Sequence, residues 1–368
     1  MRRKWFITVW ILLCIMVLAG CWDSQYLLTK KMVNGISLDK DKDNQILVTV
    51  RTVQLDSKGG GQFDVKDQEM RASGASTAST GMKIDSMLPG TVEASKTHVV
   101  IIGEELAKQG IKVPLEYFYR NPKGYLNSNI LMSKGQAAEV LSFKKIDNSP
   151  IAFGIKQLIN GAERTTVIPN QTMYSIWSQM FDLGEDMVLP LIQKLGNKAL
   201  VIDSVGLFDE DKFTGQTLKN EDSTLLLLMI GKLNKFANMD IPVERSMLTF
   251  QARKMKRSIH LSVKPSTSEI ECFVKVDLYG VLGSFPNQLG QEVDREQVKQ
   301  EINANLSKRA LGVTRKLQQA NCDALGIGRR LKAHHVKLWK TIDWNKTYKE
   351  VKIKTEVKVH IANTGIIK

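Results

Sequence analysis

The first twenty residues constrain this chain more than any other feature. Arg2, Arg3 and Lys4 precede residues 6–18, Phe-Ile-Thr-Val-Trp-Ile-Leu-Leu-Cys-Ile-Met-Val-Leu, which carry no charge. A cationic start, an apolar run of this length and then small residues form the pattern of a secretory signal. The apolar stretch from Trp5 to Gly20 has 16 residues, short of the roughly 20 that a spanning helix needs. An uncleaved signal anchor is the other reading of such a stretch. No later segment offers 18 uncharged apolar residues, and the longest apolar run is 225–230. The remainder is therefore expected to fold as an exported body that does not cross a bilayer.

Leu18-Ala19-Gly20-Cys21 decides between signal and anchor. It resembles the bacterial lipobox, Leu-x-x-Cys with small residues before the cysteine. That resemblance implies an S-diacylglycerol thioether and an N-acyl group on Cys21, with residues 1–20 removed. Two or more acyl chains at roughly 0.8 kcal/mol per buried methylene anchor a protein stably, where one chain is marginal.

Charge and cysteine usage agree with a membrane-surface protein. The formal charge of +14 falls to +11 once Arg2, Arg3 and Lys4 leave with the signal. Such an excess favours an anionic phospholipid surface or cell-wall polymer. The modest basic run Arg253-Lys-Met-Lys-Arg257 reads as a solvated face, and an exported chain has no nucleic-acid partner. With Cys14 removed and Cys21 modified, Cys272 and Cys322 are left. A disulfide between them is conceivable outside the cytoplasm. Cys272 shares strand parity with Val274, Val276 and Leu278, so a buried free thiol is the preferred reading.

At 368 residues the chain is long enough for two or three domains. Residues 32–38 and 45–55 read as strands joined by the polar turn 39–44, a hairpin signature. Residues 57–62 and 72–81 are rich in Gly, Ser, Ala and Thr and read as loops or linkers. His98-Val-Val-Ile-Ile102 is a buried-type strand, followed by a short helix 104–109 that stops at Gly110. Further helices are expected over 137–141, 150–161 and 172–181. The texture changes near residue 200. A hairpin turns at 209–211, the apolar run 225–230 reads as a central strand, and 259–263 and 272–278 alternate as strands. The clearest helix is 294–319, with Val298, Ile302, Leu306, Ala310, Val313 and Leu317 on one stripe. Asp294 and Gln297 fit a capping box at its start. The last strand places Val351, Ile353, Val357, Val359 and Ile361 on one face and Lys352, Lys354, Glu356, Lys358 and His360 on the other. The class is α+β: mixed sheets with flanking helices, a long amphipathic helix and a terminal strand.

No catalytic or metal constellation emerges. Asp39, Asp41 and Asp43 mimic the start of a calcium loop, but Asn44 stands at the turn-glycine position and Val50 at the bidentate-Glu position. Gly326-Ile-Gly328 lacks the strand before it and the third glycine that a dinucleotide loop requires. His334 and His335 are adjacent and face different ways, with no His-Glu-x-x-His or Cys-x-x-Cys in the chain. A Gly-x-Ser-x-Gly elbow is likewise missing. The residues call for no cofactor and no metal.

The order of short motifs resembles one family. Gly20-Cys21-Trp22-Asp23 is similar to the Cys-Trp-Asp that opens the mature chains of the Ger(x)C spore-germination lipoproteins. Asn34-Gly35-Ile36-Ser37-Leu38-Asp39 resembles their Gly-Ile-Asp strand with Ser-Leu inserted. The run Thr97-His98-Val99-Val100-Ile101-Ile102-Gly103-Glu104-Glu105-Leu106-Ala107 follows in the family's order. Val205-Gly206-Leu207-Phe208 with Asp211, Lys212 and Gly215 looks like its Phe-x-x-Asp-Lys-x-x-Gly hairpin. Cys322-Asp323-Ala324-Leu325-Gly326-Ile327-Gly328 resembles its Asp-x-Phe-Gly-x-Gly turn, with Leu325 in place of the aromatic. Trp339 and Trp344 match two tryptophans before the last strand.

The resemblance implies a mixed α/β fold in three lobes, and a division into residues 21–200 and 201–368. It also implies a non-enzymatic C subunit of a nutrient germinant receptor, on the outer face of the spore inner membrane. Its partners would be two integral-membrane subunits of A and B type. Cys21 is the only functional residue named on this basis. Trp22 and Asp23 read as membrane-proximal, Trp339 and Trp344 as core packing. A solute-binding lipoprotein is the competing reading, disfavoured because the final third runs β, long helix, β instead of a doubly wound lobe. An exported cell-wall hydrolase is the third, and it lacks an active-site pattern.

Overall fold

The computed structural model describes residues 30–59, 62–88, 91–121, 125–196, 199–243, 246–264, 267–284 and 295–363, together with Trp5 and Trp10. A mixed nine-stranded sheet organises the first part. Its strands are β1 (Lys30–Lys40), β2 (Ile46–Gly59), β3 (Gln62–Gly74), β4 (Thr91–Glu93), β5 (Val99–Gly103), β6 (Asn129–Ser133), β9 (Val188–Leu195), β10 (Ala199–Asp209) and β11 (Lys212–Lys219). They lie in the order β11-β10-β9-β6-β5-β1-β2-β3, with β4 beside β1. The central strands β1, β5, β6 and β9 run parallel. The hairpins β1–β2–β3 and β9–β10–β11 flank them. β7 (Lys145–Ile146) and β8 (Ser149–Pro150) form a separate short ribbon.

Both faces of this sheet are covered, which is why β5 and β6 are buried at every position. One face packs under α1 (Thr77–Met87), α2 (Glu104–Gln109), α3 (Lys112–Arg120) and α6 (Met173–Phe181). The other packs under α4 (Ala137–Leu141) and α5 (Ile151–Arg164), and its core continues without a break into the second sheet.

That second sheet is four-stranded, β12 (Ala237–Val243), β13 (Ser246–Val263), β14 (Ile270–Ser284) and β15 (Lys352–Asn363). β15 returns parallel to β14 after α8 (Arg295–Gln319). The expected stripe of α8 is buried in full, from Val298 to Leu317. Its polar side does a second job. Ser307 Oγ accepts from Val357 N at 2.9 Å and Asn303 Oδ1 from Val359 N at 2.7 Å. The helix thus satisfies two backbone donors on the outer edge of β15, groups that would otherwise be open to another strand. Asp294 lies outside the described residues.

Three expectations are corrected. In the stretch 57–62, read as a loop, Ser57 pairs with Phe63 and Gly59 with Gln62 as the arms of β2 and β3, while residues 60 and 61 lie outside the described residues. Residues 225–230 are not a strand; they sit in and just after α7 (Asn220–Met229), every residue of which from Ser223 to Met229 is buried. A short apolar run cannot be assigned by periodicity, and a helix buried all round has none. α7 touches β10 and β11 of the first sheet and β12, β13 and β14 of the second. Residues 72–81 are not a linker either. They complete β3 and begin α1, whose Ser76 and Ser79 make a reciprocal capping box. Small polar residues here serve a helix start.

α5 ends with a group under electrostatic stress. The Glu163 carboxylate is half buried, with Oε1 lacking a hydrogen-bond partner, and burial pushes its pKa up to about 7. The folded form therefore holds the proton more tightly than the unfolded chain. Stability from this group is fullest at low pH and is lost as pH rises from about 4.5 through 7. Glu163→Gln is expected to raise the melting temperature by about 2 °C at pH 8, roughly 1 kcal/mol after allowance for solvent at this site. The gain should vanish at pH 4, as differential scanning calorimetry at the two pH values would reveal.

Candidate functional site

The sequence motifs converge on two junctions. At the first, β1 carries Asp39 to the start of α4. Its buried carboxylate accepts from Ala137 N at 2.7 Å and Ala138 N at 2.8 Å. These are the first two backbone donors of the helix, so a strand residue supplies the cap that Gln136 does not. Burial pushes the Asp39 pKa up, while the two N–H groups oppose the rise. Gly103 leaves the room: a Cβ there would overlap Asp39 Oδ1. At Gly35 a Cβ would meet Ala152 Cβ at 2.9 Å, so α5 can lie directly on the strand. The Gly-Ile-Ser-Leu-Asp and Ile-Ile-Gly-Glu motifs are thus halves of one interlock. Asp41 instead folds back to accept from Asp43 N and Gln45 N. The three turn aspartates do not converge on a cation.

The second junction ties four separate segments together. Asp323 is buried and accepts from Ile327 N at 2.9 Å and Gly328 N at 2.7 Å, capping α9 (Ile327–His334). Its own N–H donates to Asp186 Oδ2 at 2.7 Å, and its carbonyl accepts from Asp186 N at 3.1 Å. Asp186 Oδ1 accepts from Glu210 N in the β10–β11 turn at 2.9 Å. Next to it, Asn321 Nδ2 donates to Asp209 and Asn345 Nδ2 to Glu210, each at 3.1 Å. Arg329 N reaches Gly184 O at 2.8 Å, and its guanidinium pairs with Glu185. Backbones cross where Gly184 meets Gly328: a Cβ on Gly184 would lie 2.5 Å from Gly328 C. Trp344 closes over Gly328, with its ring 5.8 Å from Trp339 and from Tyr348.

Burial pushes the Asp186 pKa up to about 6, with Asp209 and Glu210 adding to the rise against the two backbone N–H donors. Asp323 is displaced upward as well, again by burial. These carboxylates face backbone donors in protein and not a substrate space. A cleft of about 460 Å³ opens beside them, lined in part by Lys108, Lys212 and Lys349. Cys272 and Cys322 are both free and buried, and burial pushes the Cys272 thiol up to about 12. Among the described residues no three His, Cys, Asp or Glu side chains are grouped to hold a metal, His334 and His335 included. A smaller apolar cavity of about 140 Å³ lies under α1, between Ile36, Val50, Ile84 and Phe118.

The structure brings together the Asp-Lys hairpin, the Asp-x-Leu-Gly-x-Gly turn and the two tryptophans, as parts of one latch. Cys21, Trp22 and Asp23 lie outside the described residues. Sequence reasoning missed Gly184, Glu185 and Asp186. The only local signal for them is a Gly-Glu-Asp tripeptide after a helix, which carries no chemistry until Asp323 is placed opposite.

Two family models match successive parts of the chain. Residues 23–194 match the spore germination protein N-terminal domain, and residues 203–365 the spore germination B3/GerAC-like C-terminal domain. The chain belongs to the Ger(x)C spore-germination family. The chain is 25% identical over 379 residues to putative spore germination protein YfkR of Bacillus subtilis (strain 168), covering 97% of this chain and 96% of the relative. Spore germination protein GerQC of Bacillus cereus is 20% identical over 97% of this chain and 99% of its own. Spore germination protein KC of B. subtilis is also 20% identical, over 100% and 97%. The crystal structure of the GerBC protein superposes with a TM-score of 0.59 at 17% identity, covering 93% of this chain and all of that one. The α+β fold is therefore shared with it. Among the described residues no helix is long and apolar enough to cross a membrane.

Proposed function

We propose that the chain is the lipid-anchored C subunit of a nutrient germinant receptor, held on the outer face of the spore inner membrane through Cys21. One observation carries the reading: two consecutive germination-protein domains follow directly on Leu18-Ala19-Gly20-Cys21. The mature chain is read as residues 21–200 and 201–368, the first ending near the 194–203 gap between the family models. The subunit works by contact with integral-membrane A and B subunits, without a catalytic step or a cofactor. Support for contact over catalysis comes from the junctions above, where Asp39, Asp186 and Asp323 each accept from two backbone N–H groups.

Affinity purification of the tagged chain from detergent-solubilised spore membranes tests this. Two multi-span proteins should accompany it in comparable amounts, and recovery of the chain alone would sink the assembly claim. Calorimetric titration with amino acids and sugars addresses the competing role, delivery of a solute to a transporter. A micromolar Kd would favour that role; absence of heat is the expected result.

A further inference from the structure

β13 carries a cation on its core-facing side. Arg257 stands opposite Val276 of β14, and Ile259 opposite Val274. Directly opposed residues of an antiparallel pair share a face, and Val274 and Val276 are buried. The basic run 253–257 therefore turns its last member toward the core. There Arg257 Nε is buried without a hydrogen-bond partner, and among the described residues no carboxylate pairs with the guanidinium. Burial is the main cause that holds its pKa down to about 10, with Arg330 and Arg329 adding to the effect and Cys272 and Glu185 opposing it. The group stays charged at neutral pH.

More positive charge gathers at the same spot. Arg257 Cδ lies 3.3 Å from the point where a Cβ on Gly231 would stand, so the side chain runs against the turn that closes α7. Lys232 follows in that turn, exposed and within the field of Glu185. α9 packs on β13 and brings Arg329 and Arg330. Arg329 is matched by Glu185 at 2.5 Å, and Lys332 by Asp182 at 3.7 Å. Arg330 Nη1 instead donates to the carbonyls of Leu325 at 3.1 Å and Gly326 at 3.0 Å, which leave its charge uncancelled. Asp323 acts on Cys272 together with Arg330 and Arg257, but its carboxylate is turned to the N–H groups of Ile327 and Gly328. Burying charge without a counterion is costly, and guanidinium forks suit the oxygens of phosphate.

We infer that Lys232, Arg257 and Arg330 form a binding site for a phosphate group, with Arg257 at its floor and Lys232 at its mouth. A phosphate monoester carries about −1.5 to −2 at pH 7, so it cancels more of the excess than a carboxylate would. Glu185 borders the site and is already held by Arg329. The site goes beyond the anchoring and assembly roles and depends on neither. Its phosphate has two sources, a dissolved ion or the headgroup of a phosphatidic-acid-type lipid.

The test melts the full chain in phosphatidylcholine vesicles at pH 7, followed by tryptophan fluorescence. One arm compares sodium phosphate with sodium chloride of equal ionic strength. At about 20 mM phosphate, a Kd near 1 mM raises the melting temperature by about 3 °C. The other arm adds phosphatidic acid to the vesicles and no free phosphate. A rise in the first arm assigns the site to dissolved phosphate, and a rise in the second alone to a headgroup. Phosphate also stabilises proteins by exclusion from their surface, so the deciding comparison is Arg257→Gln. This variant should lose the rise, while Lys254→Gln, which removes an exposed cation from the same strand, keeps it. Should the glutamine variant fail to fold, Arg257→Lys keeps the charge without the fork and should weaken phosphate binding at least about threefold. No rise in either arm, or an equal rise in the wild type and the Arg257 variant, would overturn the site.

Discussion

Replacing Cys21 with Ala is expected to lower the membrane-bound fraction of the chain more than tenfold and to abolish the germination response to nutrients. The wild-type thiol is read as carrying two acyl chains with a third on the amino group, each methylene contributing roughly 0.8 kcal/mol when buried. The alanine variant has no sulfur to alkylate and no cleavage at residue 21. What is left is a 16-residue apolar leader, several residues short of a stable span. Fractionation of spore lysates, with mass spectrometry of the product, measures the effect. A variant that stays on the membrane and germinates at the wild-type rate would refute the anchor.

Gly184→Ala should be among the most damaging single methyls in the described part of the molecule. Gly184 has φ +96, a conformation that L side chains rarely adopt. Its added Cβ would also press on Gly328 C at 2.5 Å and Arg329 N at 2.6 Å. Backbone strain and overpacking each cost about 1–3 kcal/mol, and neither neighbour is a flexible side-chain tip that can swing away. A total of about 4 kcal/mol lowers the melting temperature by roughly 6 °C in a chain of this length. Because the contact joins the segment before β9 to the start of α9, the variant should expose Trp344 as well. Tryptophan fluorescence would then shift to the red before the main unfolding transition. A melting temperature within 2 °C of wild type would show that the crossing of the two glycines relaxes freely.

Local patterns carried much of the architecture. The hairpin β1–β2, the helix 104–109 with its Gly110 stop, the buried stripe of α8 and the two-faced β15 all follow from period and turn chemistry. The free, buried state of Cys272 followed from strand parity. Assignment broke down where a segment has no wet face. Leu225–Leu228 are buried on all sides, so nothing in their order separates helix from strand. At 72–81, small residues that suit a loop equally suit a helix cap.

The sequence by itself determined the family and the elements with one buried and one solvated face, and it alone is the ground for proposing an anchor at Cys21. Tertiary structure alone decided what the motif residues do. Asp39 caps a helix that starts 98 residues later, and Asp186 meets Asp323 across 137 residues of chain. Their partners are backbone N–H groups, which every residue except proline possesses. A carboxylate bound to main chain therefore leaves no mark on the identity of its partner, and only the folded backbone reveals the pairing.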